Sequence, residues 1–346
     1  MFEIPERFNL AHYYLDARVE EGLDERQAIV HHGGGTYTYL DVQRESNRMA
    51  NALVERGVEQ EDRVLIVLPD CPEFAFTWFG VLKAGAVFAM VNPRLKPDDY
   101  PYYLEYTRAK VLVTSADVYE KIAHHLPHAR HLKEVIVHGD TAPEDLRFSR
   151  ILAHASPEFE NVDTHRGDVA GWLFTSGSTG HPKAAVHRHH DYAWNTERYA
   201  KQVLGICPDD VTLSVAKLYF GYATGTNLMF PFAVGASTVL FDGASKPELL
   251  FDLIEAYKPT MMTNVPTMIG KMLAQPDCPD RGLSSLRLCL SAGEALPAEL
   301  YERWVERTGV GVSRKRFGGV CTRCVQHHTS LGYKRRCLAN FPIGDR

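Results

Sequence analysis

Long apolar runs are missing from this sequence. Its most hydrophobic stretches, such as VLIVLP at 64–69, fall far short of the ~20 residues that a bilayer-spanning helix needs, so no membrane span is expected. The first ten residues, MFEIPERFNL, are charged and carry no apolar core of a secretory signal. Cysteine is sparse, seven in 346 residues, and without an export signal reduced thiols are expected rather than disulfides. An excess of positive charge is missing too: Lys and Arg number 38 against 43 acids, a net charge of −5. That removes the electrostatic reason to expect a nucleic-acid partner. No repeat of 20–50 residues and no low-complexity linker occurs. What remains is the expectation of a cytoplasmic protein with no membrane partner, long enough for two domains or one large α/β unit.

What is present is an alternation. Short apolar or β-branched runs, predicted as strands at 63–68, 86–92, 110–115, 134–139, 171–176, 212–216, 237–241, 260–266 and 286–293, are separated by segments of helical character, as at 73–85 and 98–109. Continuous apolar strands between helices indicate an α/β body with mostly parallel strands covered on both faces. Pro97, Pro208, Pro259 and Pro297 fall at helix starts or in connections, where proline is tolerated.

One stretch differs from the rest. LFTSGSTGHPKAAVH, 173–187, follows an apolar strand and precedes a segment, 187–205, that reads as a helix. Ligands of α/β sheets bind beyond the carboxyl ends of strands. Gly177 and Gly180 would let backbone N–H groups turn toward an anion, Thr175, Ser176, Ser178 and Thr179 add hydroxyls, and Lys183 adds a mobile positive charge. A Walker A loop is excluded, because His181 and Pro182 separate Gly180 from Lys183 and Ala184 follows the lysine. A dinucleotide fingerprint is excluded as well, since no G-x-G-x-x-G opens a helix here. A polar surface loop and a phosphate-gripping loop both remain open on these residues alone. HRHH at 187–190 offers metal-ligand types, but neighbouring side chains on a helix diverge, so no metal site is assigned. Glu55, Glu59 and Glu61 read as a solvated helix end and turn.

TSGSTGHPK, 175–183, resembles the signature of the AMP-forming acyl-CoA synthetase and adenylation superfamily, with Ala184 where glycine is usual. Residues 57–95 resemble that family's N-terminal stretch, with Asp62, Pro69, Pro72, Gly85 and Asn92–Pro93 in matching places. Residues 286–300 resemble its adenine-binding segment, and 216–237 are similar to the benzoate–CoA ligase branch. The resemblance covers 5–312. It implies the family's large N-terminal domain, α/β with mostly parallel sheets flanked by helices and incomplete on its C-terminal side. It also implies ATP, Mg²⁺ and coenzyme A, acting on an aromatic, benzoate-like acid through an acyl-adenylate. By residue, it places the β- and γ-phosphates of ATP at Thr175, Ser176, Gly177, Ser178, Thr179, Gly180 and Lys183, with Lys183 and Thr179 catalytic. The adenine falls at Gly293, Glu294 and Ala295, and the acid at Gly221 and Tyr222, the alternative for Tyr222 being an ordinary core tyrosine.

From Ser313 the text changes. Residues 313–346 hold eight Lys or Arg and one acid, Asp345, so this tail carries +7 and the preceding residues −12. The strand pattern stops, and the family's later nucleotide and Mg²⁺ motif and its small lysine-bearing domain do not follow. Two readings stand: a zinc module from Cys321, Cys324, His327, His328 and Cys337, or out-of-frame or foreign sequence after an interruption. The second is the expectation, and with it a ligase impaired by truncation. The alternatives are a nucleotide-binding remnant without turnover and an adenylating enzyme that passes its acyl group to a carrier protein.

Overall fold

Strands form at each of the nine predicted runs, most of them shortened by a residue or more, with further strands at 27–31, 36–38, 183–188 and 312–314. The structure, a computed structural model, describes residues 3–175, 180–276, 278 and 283–314. Ser176, Gly177, Ser178 and Thr179, and the tail residues Cys321, Cys324, His327, His328 and Cys337, lie outside the described residues. Thirteen strands occur among those described: β1 Gln27–His31, β2 Thr36–Thr38, β3 Arg63–Val67, β4 Val87–Met90, β5 Val111–Ser115, β6 Glu134–His138, β7 Val169–Thr175, β8 Lys183–Arg188, β9 Val211–Ser214, β10 Ser237–Leu240, β11 Met261–Asn264, β12 Leu288–Ser291 and β13 Val312–Arg314. They make two sheets, one ordered β13-β12-β11-β9-β10-β1-β2 and the other β6-β5-β3-β4-β7-β8. Every pairing is parallel except β1 with β2 and β7 with β8.

Successive residues of a strand face opposite sides of its sheet, and here both sides are apolar. Val64, Ile66, Phe88, Met261, Leu288 and Leu290 join a large core that both sheets share, together with Met49, Phe74, Trp78 and Phe79 of the helices Tyr39–Glu55 and Pro72–Lys83. The alternate residues Leu65, Val67 and Leu112 face a second core under Tyr100–Thr107 and Ala116–Ile122. Leu213, Met262, Cys289 and Val312 face a third, under Pro247–Tyr257, Pro266–Leu273 and Ala298–Thr308. The result is helices and sheets in alternating layers. No helix among the described residues is long and apolar enough to cross a membrane.

Helix starts follow local chemistry. Thr38 caps Tyr39–Glu55 reciprocally with Asp41: its hydroxyl accepts the Asp41 N–H at 3.1 Å, and the Asp41 carboxylate accepts the Thr38 N–H at 2.9 Å. Proline opens the helices at Pro72, Pro247 and Pro266, where its missing N–H costs nothing.

Two expectations need correction. The segment after the glycine- and hydroxyl-rich loop is not helical from His187, because Lys183–Arg188 forms β8 and pairs antiparallel with β7, Thr175 opposite Lys183. The loop therefore closes a hairpin, His187 ends in a strand, and the helix begins at His189. The strand pattern also runs past Val312, since Ser313 and Arg314 complete β13 beside β12. Among the described residues Cys71, Cys207 and Cys289 are free thiols.

His189 is fully buried and its Nδ1 accepts the Leu10 N–H at 3.1 Å. Burial holds its pKa down to about 4 from 6.5. Below the ordinary value the unfolded chain takes up a proton that the folded chain refuses. The contribution is complete above 6.5 and is lost as pH falls toward 4. Between pH 7 and 5 this amounts to about 2 kcal/mol. Urea unfolding at the two pH values should show a loss smaller by about that amount in His189→Gln than in the parent; equal losses would show that His189 is not the group responsible.

Candidate functional site

In each sheet one adjacent pair of strands sends the chain in opposite directions: β9 leads to β10 while β11 leads to β12, and β3 leads to β4 while β5 leads to β6. Crevices form beyond the carboxyl ends of such pairs. The segment leaving β9 carries Lys217 to Tyr222, and the segment leaving β3 carries Asp70. The two meet. Asp70, 1% exposed, accepts the Leu218 N–H on Oδ1 at 2.7 Å, and its Oδ2 lies 4.0 Å from Lys217 Nζ. Lys217 in turn donates to the Phe241 carbonyl at 2.7 Å and sits 3.3 Å from the Phe241 ring centre. Burial pushes the Asp70 carboxyl up and the Lys217 ammonium down, each charge opposing the other's shift.

This tie sets the start of the segment holding both expected acid-site residues. Gly221 backs onto β7: a methyl group there would come within 2.7 Å of Leu173 Cδ1. Tyr222 is half-buried, with its hydroxyl 3.4 Å from the Asn264 carbonyl at the end of β11, and burial raises its phenol well above the usual range. It packs on the shared core with its polar end at the crevice. Behind it, Thr263 donates to the Thr226 hydroxyl at 2.7 Å.

The expected adenine segment follows β12. Gly293 takes a left-handed φ of 88°, which glycine adopts without strain, and the Val265 side chain lies beside it. Glu294 accepts the Thr267 hydroxyl at 3.0 Å, and Gly293, Glu294 and Ala295 are all exposed. The expected phosphate residues lie on the other sheet. Thr175 ends β7 and its hydroxyl is 3.4 Å from the Lys183 carbonyl. Gly180 has a φ of 89° with open space around it, and Lys183 is exposed at the head of β8. The hairpin is braced from the helix Tyr100–Thr107: Tyr102 stacks on His181 and donates to the Pro182 carbonyl at 2.6 Å.

Sequence reasoning missed three residues here. Asp70 and Lys217 were not singled out, although each lies three residues beyond the end of an apolar strand. Ser291 ends β12, is 4% exposed, and its hydroxyl has no hydrogen-bond partner among the described residues.

A profile of the AMP-binding enzyme family matches residues 15–316, and the chain belongs to that family. It is 37% identical over 311 residues to a benzoate–CoA ligase of Thauera aromatica, covering 90% of this chain and 58% of that protein. It is 34% identical over 319 residues to a 4-hydroxybenzoate–CoA/benzoate–CoA ligase of Rhodopseudomonas palustris, covering 87% and 56%. Among solved structures it is similar to the anthranilate CoA ligase AuaEII in complex with anthranoyl-AMP, with a TM-score of 0.86, 34% identity and 90% and 59% coverage. A benzoate CoA ligase from Burkholderia xenovorans LB400 gives a TM-score of 0.82 at 32% identity, with 92% and 62% coverage. The chain thus spans under two thirds of the length of these relatives.

Removing Asp70 leaves a buried ammonium without its counter-charge and the Leu218 N–H without its acceptor. Asp70→Ala is expected to lose about 3–5 kcal/mol of stability in urea unfolding, and Lys217→Met in the same chain should restore part of it. A loss below about 1 kcal/mol would show that the pair does not hold the two sheets together.

Proposed function

We propose that this chain supplies the nucleotide- and acid-binding part of an ATP-dependent aromatic carboxylate–CoA ligase. One observation carries the reading: β7 backs Gly221 through Leu173 and ends at the glycine- and hydroxyl-rich hairpin. A single strand therefore joins the candidate acid pocket to the candidate phosphate loop. The names of the similar ligases, on benzoate, hydroxybenzoate and anthranilate, support an aromatic acid.

In this reading the acid's ring lies against Tyr222 and Gly221, whose missing side chain lets Leu173 of β7 pack close behind. The nucleotide base lies along Gly293, Glu294 and Ala295. Thr175 to Gly180 and Lys183 hold the β- and γ-phosphates. The carboxylate oxygen attacks the α-phosphorus, the bond to the β-phosphate oxygen breaks, and pyrophosphate leaves with the electron pair. Lys183 meets the charge that grows on that leaving group, and an electrostatic group aimed at developing charge accelerates such a step. The thiol of coenzyme A then displaces AMP from the acyl carbon, giving up its proton. Magnesium belongs to this reading as the counter-ion of the substrate ATP, and none of the residues assigned above is given to it.

Binding separates the parts of the proposal. A non-hydrolysable benzoyl-AMP mimic, measured by calorimetry, should bind the parent chain and lose affinity in Tyr222→Ala. Lys183→Ala should weaken ATP by about 10–100-fold, the worth of one charged hydrogen bond, and leave the mimic unchanged, since the mimic has no β- or γ-phosphate. Failure of the mimic to bind, or equal losses for both ligands, overturns the assignment. Benzoate-dependent pyrophosphate release then reports turnover, whereas ATP binding without release would mark a non-catalytic nucleotide binder.

A further inference from the structure

Just beyond Asp70, the six-stranded sheet brings a thiol, an imidazole and a carboxylate to one point. Cys71 precedes the helix Pro72–Lys83, Glu73 lies in its first turn, and His138 ends β6, an edge strand of the sheet. One donor atom of each lies within 4.8 Å of the others. His138 Nδ1 and Glu73 Oε1 are 3.6 Å apart, too far for a hydrogen bond. That separation is close to the ~3.3–3.8 Å edge of a tetrahedron whose metal–ligand bonds are 2.0–2.3 Å. We infer that Cys71, Glu73 and His138 form a site for a single zinc-class divalent cation.

The donor set suits a borderline-soft ion. Thiolate, imidazole and carboxylate are all zinc ligands, and three protein ligands leave a fourth position for water. Thiolate and carboxylate together cancel the ion's charge, and the helix N-terminus beside them favours both anions. Access is from one side: Cys71 is 1% exposed, whereas the side chains of His138 and Glu73 are 31% and 21% exposed. A bound ion would fasten the β6 edge to the helix start that follows Asp70.

The other close group of ligand types, Asp98, His124 and His125, is weaker. Its carboxylate is 91% exposed and its histidines are chain neighbours.

Cobalt(II) titration of the full chain tests the inference without reference to ligase activity. Cys321, Cys324 and Cys337 could also take a metal, so all three are replaced by serine in the starting protein. That protein is expected to bind one equivalent of cobalt with thiolate-to-metal charge-transfer absorption, displaced by zinc. Cys71→Ser in this background should abolish the absorption. His138→Gln, at a partly exposed position, should weaken cobalt by at least the ~10-fold that even an outer-shell partner is worth, and it decides the matter if the Cys71 variant does not fold. No charge-transfer absorption in the serine-substituted protein, or an undiminished affinity in His138→Gln, overturns the site.

Discussion

The acid-binding segment of this chain depends on one carboxylate. Asp70 leaves the six-stranded sheet, and its acceptor oxygens fix both the backbone of Leu218 and the charge of Lys217, which leave the seven-stranded sheet. Everything assigned to the acid pocket lies within four residues of that contact. The Phe241 carbonyl and ring complete the enclosure of the ammonium, so a third strand end, that of β10, is drawn in. Buried charges of this kind are expensive unless every remaining polar atom finds a partner. Here the expense brings a defined approach of two sheets at the place where both have their crevices.

A second buried charge pair does similar work on the far side of the shared core. Lys83 is 1% exposed and donates to Asp16 at 2.5 Å. Asp16 also accepts from Gln43 at 2.8 Å and from Asn161 at 2.7 Å. Three helical segments and the strand-free stretch around residue 161 are thereby held to one carboxylate. The two networks lie at opposite ends of the helix Pro72–Lys83. That helix, packed with Phe74, Trp78 and Phe79 between the sheets, is therefore pinned near its start and at its end.

The layering was legible in the sequence because parallel strands buried on both faces leave unbroken apolar runs. The hairpin was not. Lys183–Arg188 holds two alanines and one valine between charged residues, a weak strand signal, and it follows a loop whose composition suggested the turn into a helix. What settles β8 is its neighbour β7, which offers a ladder along its whole length. Gly171 in β7 shows how local the fit is, since the Phe88 ring occupies the space where a side chain would stand. Asp70 and Lys217 were illegible for another reason: 147 positions separate them, and one sequence carries no mark of a pairing made only by the approach of two sheets. The expected acid and adenine residues do gather around the carboxyl ends of β11 and β12, where Ser291 adds a hydroxyl that no motif reading singled out.

The division of the apolar residues into separate cores has a mechanical consequence. Trp304 and Val312 belong to the cluster on the outer face of the seven-stranded sheet, and neither belongs to the core between the sheets. Changes in the last helix and strand are thus felt first by an outer shell. That shell can loosen as its own cooperative unit while the enclosed centre, with its paired charges, keeps its shape.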